Sequence, residues 1–249
     1  MQVILNTSQI NTLLSRAGFD PNPAEAAQFT GQTQAAIVKK LLADAQSNTA
    51  LSSFPTLPEW TKTAGPTLAD RRTTNQAQRM EYRTEETRKT QALRKWWLEG
   101  LLSTPTPLRE RMVVFWHNHF PSAQRKVVSA DMILQQHQIL REHAFGNFAV
   151  LLKAAVQSPA MLEYLDASQN RATAPNENLG RELMELFTLG EGNYTEADVK
   201  EAARTLTGWT VNPNANVFAY NVRVHDTGSK RVLGKSVDTG DDLDRKSVV

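Results

Sequence analysis

The sequence of 249 residues predicts a mainly α fold, a multi-helix orthogonal bundle followed by a small antiparallel β region. Three observations carry this prediction. Apolar residues recur at i, i+3 and i+4 from Ile10 to Leu206. Cap residues or prolines precede most of those runs, and glycines end several of them. Beyond Trp209 the apolar period changes from helical to alternating.

The elements follow in order. Ile10, Leu13, Leu14 and Ala17 form one stripe with Gly18 placed to stop it. Pro23 opens a short second helix ending at Gly31, and Ile37, Val38, Leu41 and Leu42 line a third. Asn48 to Pro66 carries three prolines and a glycine and reads as a loop. From Asp70 to Lys95 charges of both signs alternate, with Glu85 and Lys89 at i, i+4, which predicts one long, solvated helix entering the core at Trp96 and Trp97. A basic helix tipped with tryptophans also suits an anionic partner, but mixed charges favour the solvated face.

Thr106-Pro107 is a cap followed by a helix-opening proline, and the helix carries Leu108, Met112, Phe115 and Trp116. Ser129 caps a helix with Ile133, Leu140 and Ala144, ended by Gly146. Phe148, Leu151, Leu152 and Ala155 define the next helix, and Ser158-Pro159 starts a short one through Leu165. Pro175 opens a helix with Leu179, Leu183, Leu186 and Phe187 inward, stopped by Gly190. Thr195 with Asp198 resembles a capping box ahead of Val199, Ala202, Ala203 and Leu206.

Phe218, Tyr220, Val222 and Val224 then alternate with polar residues as a strand, and Val232 and Leu233 begin the returning strand. Asp238 to Val249 is polar and aperiodic, the ragged edge of a chain cut short. The expected division is a helical domain over 1–209, then a β-hairpin region and disordered tail over 210–249.

Composition bounds the function. Hydrophobic residues at 40% and charged residues at 22% are ordinary globular usage. A formal charge of +2 is too small to imply nucleic acid, and none is expected as a partner. Zero cysteines exclude disulfides, thiol catalysis and zinc fingers. No stretch approaches the run of apolar residues that spans a bilayer. Met1 to Phe19 has neither the basic start nor the apolar centre of a signal peptide. The Ser-hydrolase elbow, the common phosphate loops and the H-E-x-x-H zinc motif are all missing.

Three segments carry candidate chemistry. The first is Phe115 to Phe120 (FWHNHF), whose His117 and His119 suit a metal site or an acid–base pair. On a helix, i and i+2 point about 200° apart, so one metal takes both only if the helix has ended. A histidine bonded within a helix end is the bland reading. The second is Pro175 to Glu185 (PNENLGRELME). If helical, it stacks Glu177, Arg181 and Glu185 on one line and Asn178, Glu182 and Glu185 on another. Such a surface binds a cation or poises a general acid, and solvated Glu–Arg bridges are its bland equivalent. The third is His225 to Lys230 (HDTGSK), where His225, Asp226 and Lys230 orient a ligand or make a tight turn. Asp166 and Asn170 are ambiguous singly.

These segments occur in order with Leu13 to Phe19 (LLSRAGF), Pro159 to Leu162, Tyr164 to Asp166, Pro175 to Gly190, Tyr194 to Val199, Ala202 to Trp209 and Leu233-Gly234. In that combination the chain resembles a large bacterial family catalogued as domain of unknown function 1800. The resemblance implies that this chain corresponds to the N-terminal portion of longer proteins, many of them exported. It also implies a partner protein from a second uncharacterised family encoded nearby. Gly180 stands where the family usually carries alanine, and Arg245 to Val249 does not look like a family continuation. The family brings no established activity.

Two functions remain. In the first, an enzyme gathers the segments around one polar site, with a divalent metal as the cofactor it admits. His117, His119, Glu177, Arg181 and Glu182 are then catalytic, and Asn176, Asn178, His225, Asp226 and Lys230 bind substrate. His119, Glu182, Glu185 and His225 are the metal-ligand set. Haem binding has no attachment motif behind it. In the second, a non-catalytic scaffold or partner-binding module, the same residues form a buried polar network. The enzyme brings His119, Glu182 and His225 to a shared cleft; the network buries them with matched partners.

Overall fold

A computed structural model describes residues 3–21, 23–47, 50, 52, 54–62 and 67–237. The tail from Asp238 and parts of the Asn48–Pro66 loop lie outside the described residues. Among the described residues eleven α-helices precede two small antiparallel pairs of strands. None of these helices is long and apolar enough to cross a membrane.

Helix α1 (Thr7–Ala17) opens with a capping box between Asn6 and Gln9 and ends at Gly18. Helix α2 (Pro23–Ala27) is shorter than expected, the chain turning through Phe29 to Gly31, whose φ is +78°. Helix α3 (Gln34–Gln46) buries Ile37 but leaves Leu42 exposed, so the inner stripe is narrower than the sequence suggested. Ile10, Leu14, Ala26, Phe29 and Ile37 close this N-terminal cluster.

In place of one helix starting at Asp70 there are two, α4 (Leu68–Thr73) and α5 (Gln76–Ser103). Thr74 is extended between them, and Asn75 with Gln78 forms a second capping box. Lys89 pairs not with Glu85 but with Glu86, at 3.0 Å, while Arg88 takes Glu85 at 2.7 Å. Glu86 is only 1% exposed. Part of the supposedly solvated face is therefore core. Gly100 on α5 is required where it stands, because an added Cβ would lie 1.9 Å from the Phe54 ring.

The main core gathers helices α6 (Pro107–His119), α7 (Ala130–His143), α8 (Phe148–Val156) and α9 (Pro159–Tyr164). Helix α7 is central, packing against α5, α6, α8 and α9. Phe120, Met132, Leu140, Leu152 and Met161 are fully buried there, and each methylene lost at such a site leaves a cavity as well as lost transfer energy. A 3-10 turn (Ala167–Gln169) leads to α10 (Asn178–Glu185), which packs against α11 (Glu196–Thr205). Helix α10 starts three residues later than Pro175 suggests. Leu186 falls outside it and is exposed, whereas Phe187 is buried.

Strands β1 (Trp209–Val211) and β2 (Phe218–Tyr220) pair Trp209 with Tyr220. The alternation beyond Tyr220 does not continue as strand, because Val222–Val224 turn as a 3-10 helix with Asn221 accepting from the Arg223 N–H. The expected return strand pairs elsewhere: β3 (Lys230–Val232) joins β4 (Lys235–Val237) through Leu233-Gly234. Both turn residues have positive φ, 51° and 77°, as a two-residue type I′ hairpin requires. Helix α11 covers this hairpin: Glu201 accepts from the Arg231 N–H at 3.0 Å and Asp198 from the Leu233 N–H at 2.7 Å.

The carboxylate of Glu86 accepts from Lys89 and from the Ala130 N–H, at 2.7 Å, at the start of α7. Glu86→Ala leaves a buried ammonium and a helix N-terminus unmatched. It is expected to cost about 3–5 kcal/mol in denaturant unfolding. Removing the exposed Glu81 should change stability by less than about 0.5 kcal/mol.

Candidate functional site

The first segment does not keep its two histidines together. Helix α6 continues through His119, so the rings leave it in different directions. His119 Nε2 donates to the Phe187 carbonyl at 3.0 Å, and its ring packs against Phe115, Trp116, Phe120 and Phe148. A carbonyl can only accept, so Nε2 of His119 carries a proton. His117 Nε2 lies 3.1 Å from His137 Nδ1, with Trp97 against both rings. One proton bridges the pair. Burial lowers the pKa of His117 to about 4 and that of His137 to about 3, where the neighbouring His117 and Arg141 add to the effect. His137 Nε2 is buried without a partner. Sequence reasoning missed His137, although it shares a helical face with Ile133 and Leu140.

The second segment is organised from its N-terminal side. Asn170 accepts from the Asn176 N–H and Asn176 accepts from the Asn178 N–H, each at 2.9 Å. These turns place Glu177 at the head of α10 and leave Asn178 exposed. Arg181 donates to Glu177 at 2.9 Å and twice to Glu196 at 2.8 Å, so two carboxylates hold its pKa above the ordinary arginine value. Glu185 accepts from the Tyr194 hydroxyl at 2.7 Å. Glu182 differs from its neighbours: no described residue donates a hydrogen bond to its carboxylate. Burial raises its pKa, the nearby Glu185 raises it further, and Arg181 opposes both. Gly180 lets α10 lie close to α11, since a Cβ there would stand 3.0 Å from the Ala203 nitrogen.

The third segment is a closed network. His225 is 6% exposed and its Nδ1 donates to the Thr207 carbonyl at 2.7 Å. Its Nε2 is buried without a partner among the described residues. Asp226 accepts from Arg204 at 2.8 and 3.2 Å and from the Gly228 N–H at 2.8 Å. The Arg204 bond is the main reason its pKa falls to about 2. Lys230 Nζ donates to the carbonyls of Asp226 and Gly228, and burial pushes its pKa down.

The segments are thus linked through the backbone but not gathered. His119 binds just past the C-terminal end of α10, and His225 binds just past that of α11. Among the described residues no hydrogen bond or ring contact joins His119, Glu182 and His225. Nor do three His, Asp or Glu side chains among them converge as a metal-binding group. A further polar cluster lies where none was sought. Arg71 Nη1 is 3.6 Å from Glu163, and Arg71 covers the Tyr82 ring at 5.5 Å. Burial raises the pKa of Glu163 and takes that of Tyr82 to about 12. Its only sequence signal was the density of charge after Asp70.

Residues 12–249 match the model of a family described as protein of unknown function DUF1800. The chain belongs to that family. The DUF1800 match takes in all three segments and extends through Arg245 to Val249, which the sequence had set apart. No curated protein and no solved structure matches the chain.

The histidine pair gives a signed pH dependence. Both native pKa values lie below the unfolded value near 6.5, so unfolding takes up protons as the pH falls beneath that value. The stabilisation is complete above pH 6.5 and is lost progressively from there towards pH 4 and below. Unfolding at pH 7 and pH 5 should show His117→Asn/His137→Leu losing about 3–4 kcal/mol less than the parent over that interval. Equal losses would refute the assignment.

Proposed function

We propose that this DUF1800 protein is an enzyme in which Glu182 is the acid–base carboxylate. The observation that carries the reading is Glu182 itself, half-buried, raised in pKa and without a hydrogen-bond donor among the described residues, in a segment where neighbouring charges are matched. A carboxyl whose pKa is raised keeps a proton more readily than a free one, which suits a group that must both give and take it. Glu185, fixed by Tyr194, keeps that pKa high, and Glu177 and Glu196 fix Arg181 one residue away on the same helix. Together Glu182 and Glu185 offer two carboxylates to a divalent cation, which would complete its shell with water and substrate oxygens. His119 lends Nδ1 only if that ion approaches the end of α10.

The scaffold reading draws on a different observation, that His225, Asp226 and Lys230 spend their hydrogen bonds on Thr207, Arg204 and backbone carbonyls. The two readings separate on Glu182. A carboxylate with a raised pKa costs stability at neutral pH, so Glu182→Gln should leave Tm unchanged or raise it by about 1–2 °C. With activity located by a substrate screen and metal content measured by elemental mass spectrometry, the same variant should lose about 100-fold or more in kcat. Full activity in Glu182→Gln would remove the assigned role. A clear fall in Tm would favour the scaffold.

A further inference from the structure

The structure contains a cleft of about 360 Å³ between α4, the Ala167–Gln169 turn and β1. We propose that it binds a small organic oxyanion, a phosphate or carboxylate, held by Arg72 and Arg171. This inference is independent of the role given to Glu182.

Charge balance is the first argument. Arg72 and Arg171 both line the cleft, and no aspartate or glutamate does. Neither arginine has an ion-pair partner among the described residues, whereas Arg181 and Arg204 are each held by two carboxylates. Two cationic residues on one concavity without a counter-charge favour an anion there. The larger cavity, about 470 Å³ beside α2 and α3, makes the contrast. There Lys40 already has a counter-charge in Asp44 at 2.8 Å, and Glu25 also lines the cavity, so it presents no uncompensated cation.

Rigidity is the second argument. Gly208 holds a φ of +86°, and a Cβ there would meet the Asn221 carbonyl at 2.7 Å, so β1 and Asn221 are locked against each other. Asn170 fixes the opposite wall through Ala203 and Gly208. Helix α4, which carries Arg72, is tied down by the Ala69 N–H on the Pro213 carbonyl at 2.7 Å and the Leu68 N–H on Asn216 at 3.1 Å. A site fixed before binding loses little entropy on occupation. The hydroxyls of Ser168 and Thr210 line the same cleft with no partner among the described residues, and they suit the ligand's remaining oxygens. A guanidinium fork bonds two oxygens of a phosphate or carboxylate at once, which a chloride ion cannot reproduce.

The test is an amide-shift NMR titration of the full chain at low ionic strength with inorganic phosphate and, separately, citrate. Saturable shifts should centre on residues 168–171 and 208–211, and the tighter probe identifies the head group. Arg72→Gln/Arg171→Gln should weaken binding about tenfold or more, since charged hydrogen bonds are lost. Arg79→Gln/Arg83→Gln removes the same charge from an exposed stretch of α5 and should change affinity less than twofold. Shifts that do not saturate for either probe, or an equal loss in both double variants, would overturn the proposal. Both arginines of the cleft are exposed and unpaired, so an unchanged Tm is expected in each variant. Where one variant melts early, the single substitutions Arg72→Gln and Arg171→Gln supply the comparison.

Discussion

Asn170 is the residue on which the C-terminal half of the molecule hangs. Its side-chain amide donates to the Ala203 carbonyl at 2.8 Å, and its Oδ1 accepts from the Asn176 N–H at 2.9 Å. Its backbone N–H meets Ala167 at 3.0 Å and its carbonyl receives the Gly208 N–H at 3.1 Å. One buried residue thus joins the turn after α9, the head of α10, the end of α11 and the entry to β1. Irregular backbone can be buried only if its polar groups find partners, and here a single side chain supplies several of them. The register of Arg181 against Glu196, and the seat of His225 on Thr207, both follow from that junction.

The N-terminal half solves a related problem with charge. Arg109 donates to the Ala45 carbonyl at the end of α3 and to the Arg141 carbonyl at the end of α7, at 2.7 and 2.6 Å. Arg141 in turn donates to Glu110 at 2.8 Å and to the Ala50 carbonyl at 2.6 Å. These guanidinium groups satisfy carbonyls at or beyond helix C-termini, where cations also complement the macrodipole. Burial raises the pKa of Glu110 and lowers that of Arg109, which measures the desolvation the arrangement sustains. Buried ion pairs contribute little net stability. Their effect here is positional, because a guanidinium that must reach named carbonyls admits one placement of α3 against α6 and α7.

Several helices were legible from start signals in the sequence, although the capping boxes at Thr67 and Asn75 went unread. Ser129, Ser158 and Thr195 each accept from the backbone at the head of a helix. The errors came where a local pattern was overridden by a distant partner. Alternating charge between Asp70 and Lys95 looks solvated until α7 brings the Ala130 N–H onto Glu86. The alternation from Phe218 to Val224 reads as one strand, but the Asn221 N–H is drawn to the Gly208 carbonyl at 2.8 Å and the chain turns there. The candidate segments were visible as concentrations of polar residues. What each residue does was not, because the partner of His119 lies 68 positions away and spacing along a helix says nothing about it.

That distinction also decides where chemistry can reside. A side chain that has spent its hydrogen bonds on the fold cannot act on a ligand without unmaking part of it. Arg204, Asp226 and Lys230 are in that position, and so is Arg181 between its two carboxylates. They share the residue types of an active site, and their bonds are made to the fold. Glu182 and the arginines of the α4 cleft have the opposite character, being held in place by rigid backbone with their bonding capacity unused. A stable fold gains nothing from leaving charge in this state, since a matched pair or an apolar residue would serve packing as well or better. Groups left unmatched on a well-fixed backbone are therefore where function is to be sought, and in this chain they lie midway along α10 and in the cleft beside α4.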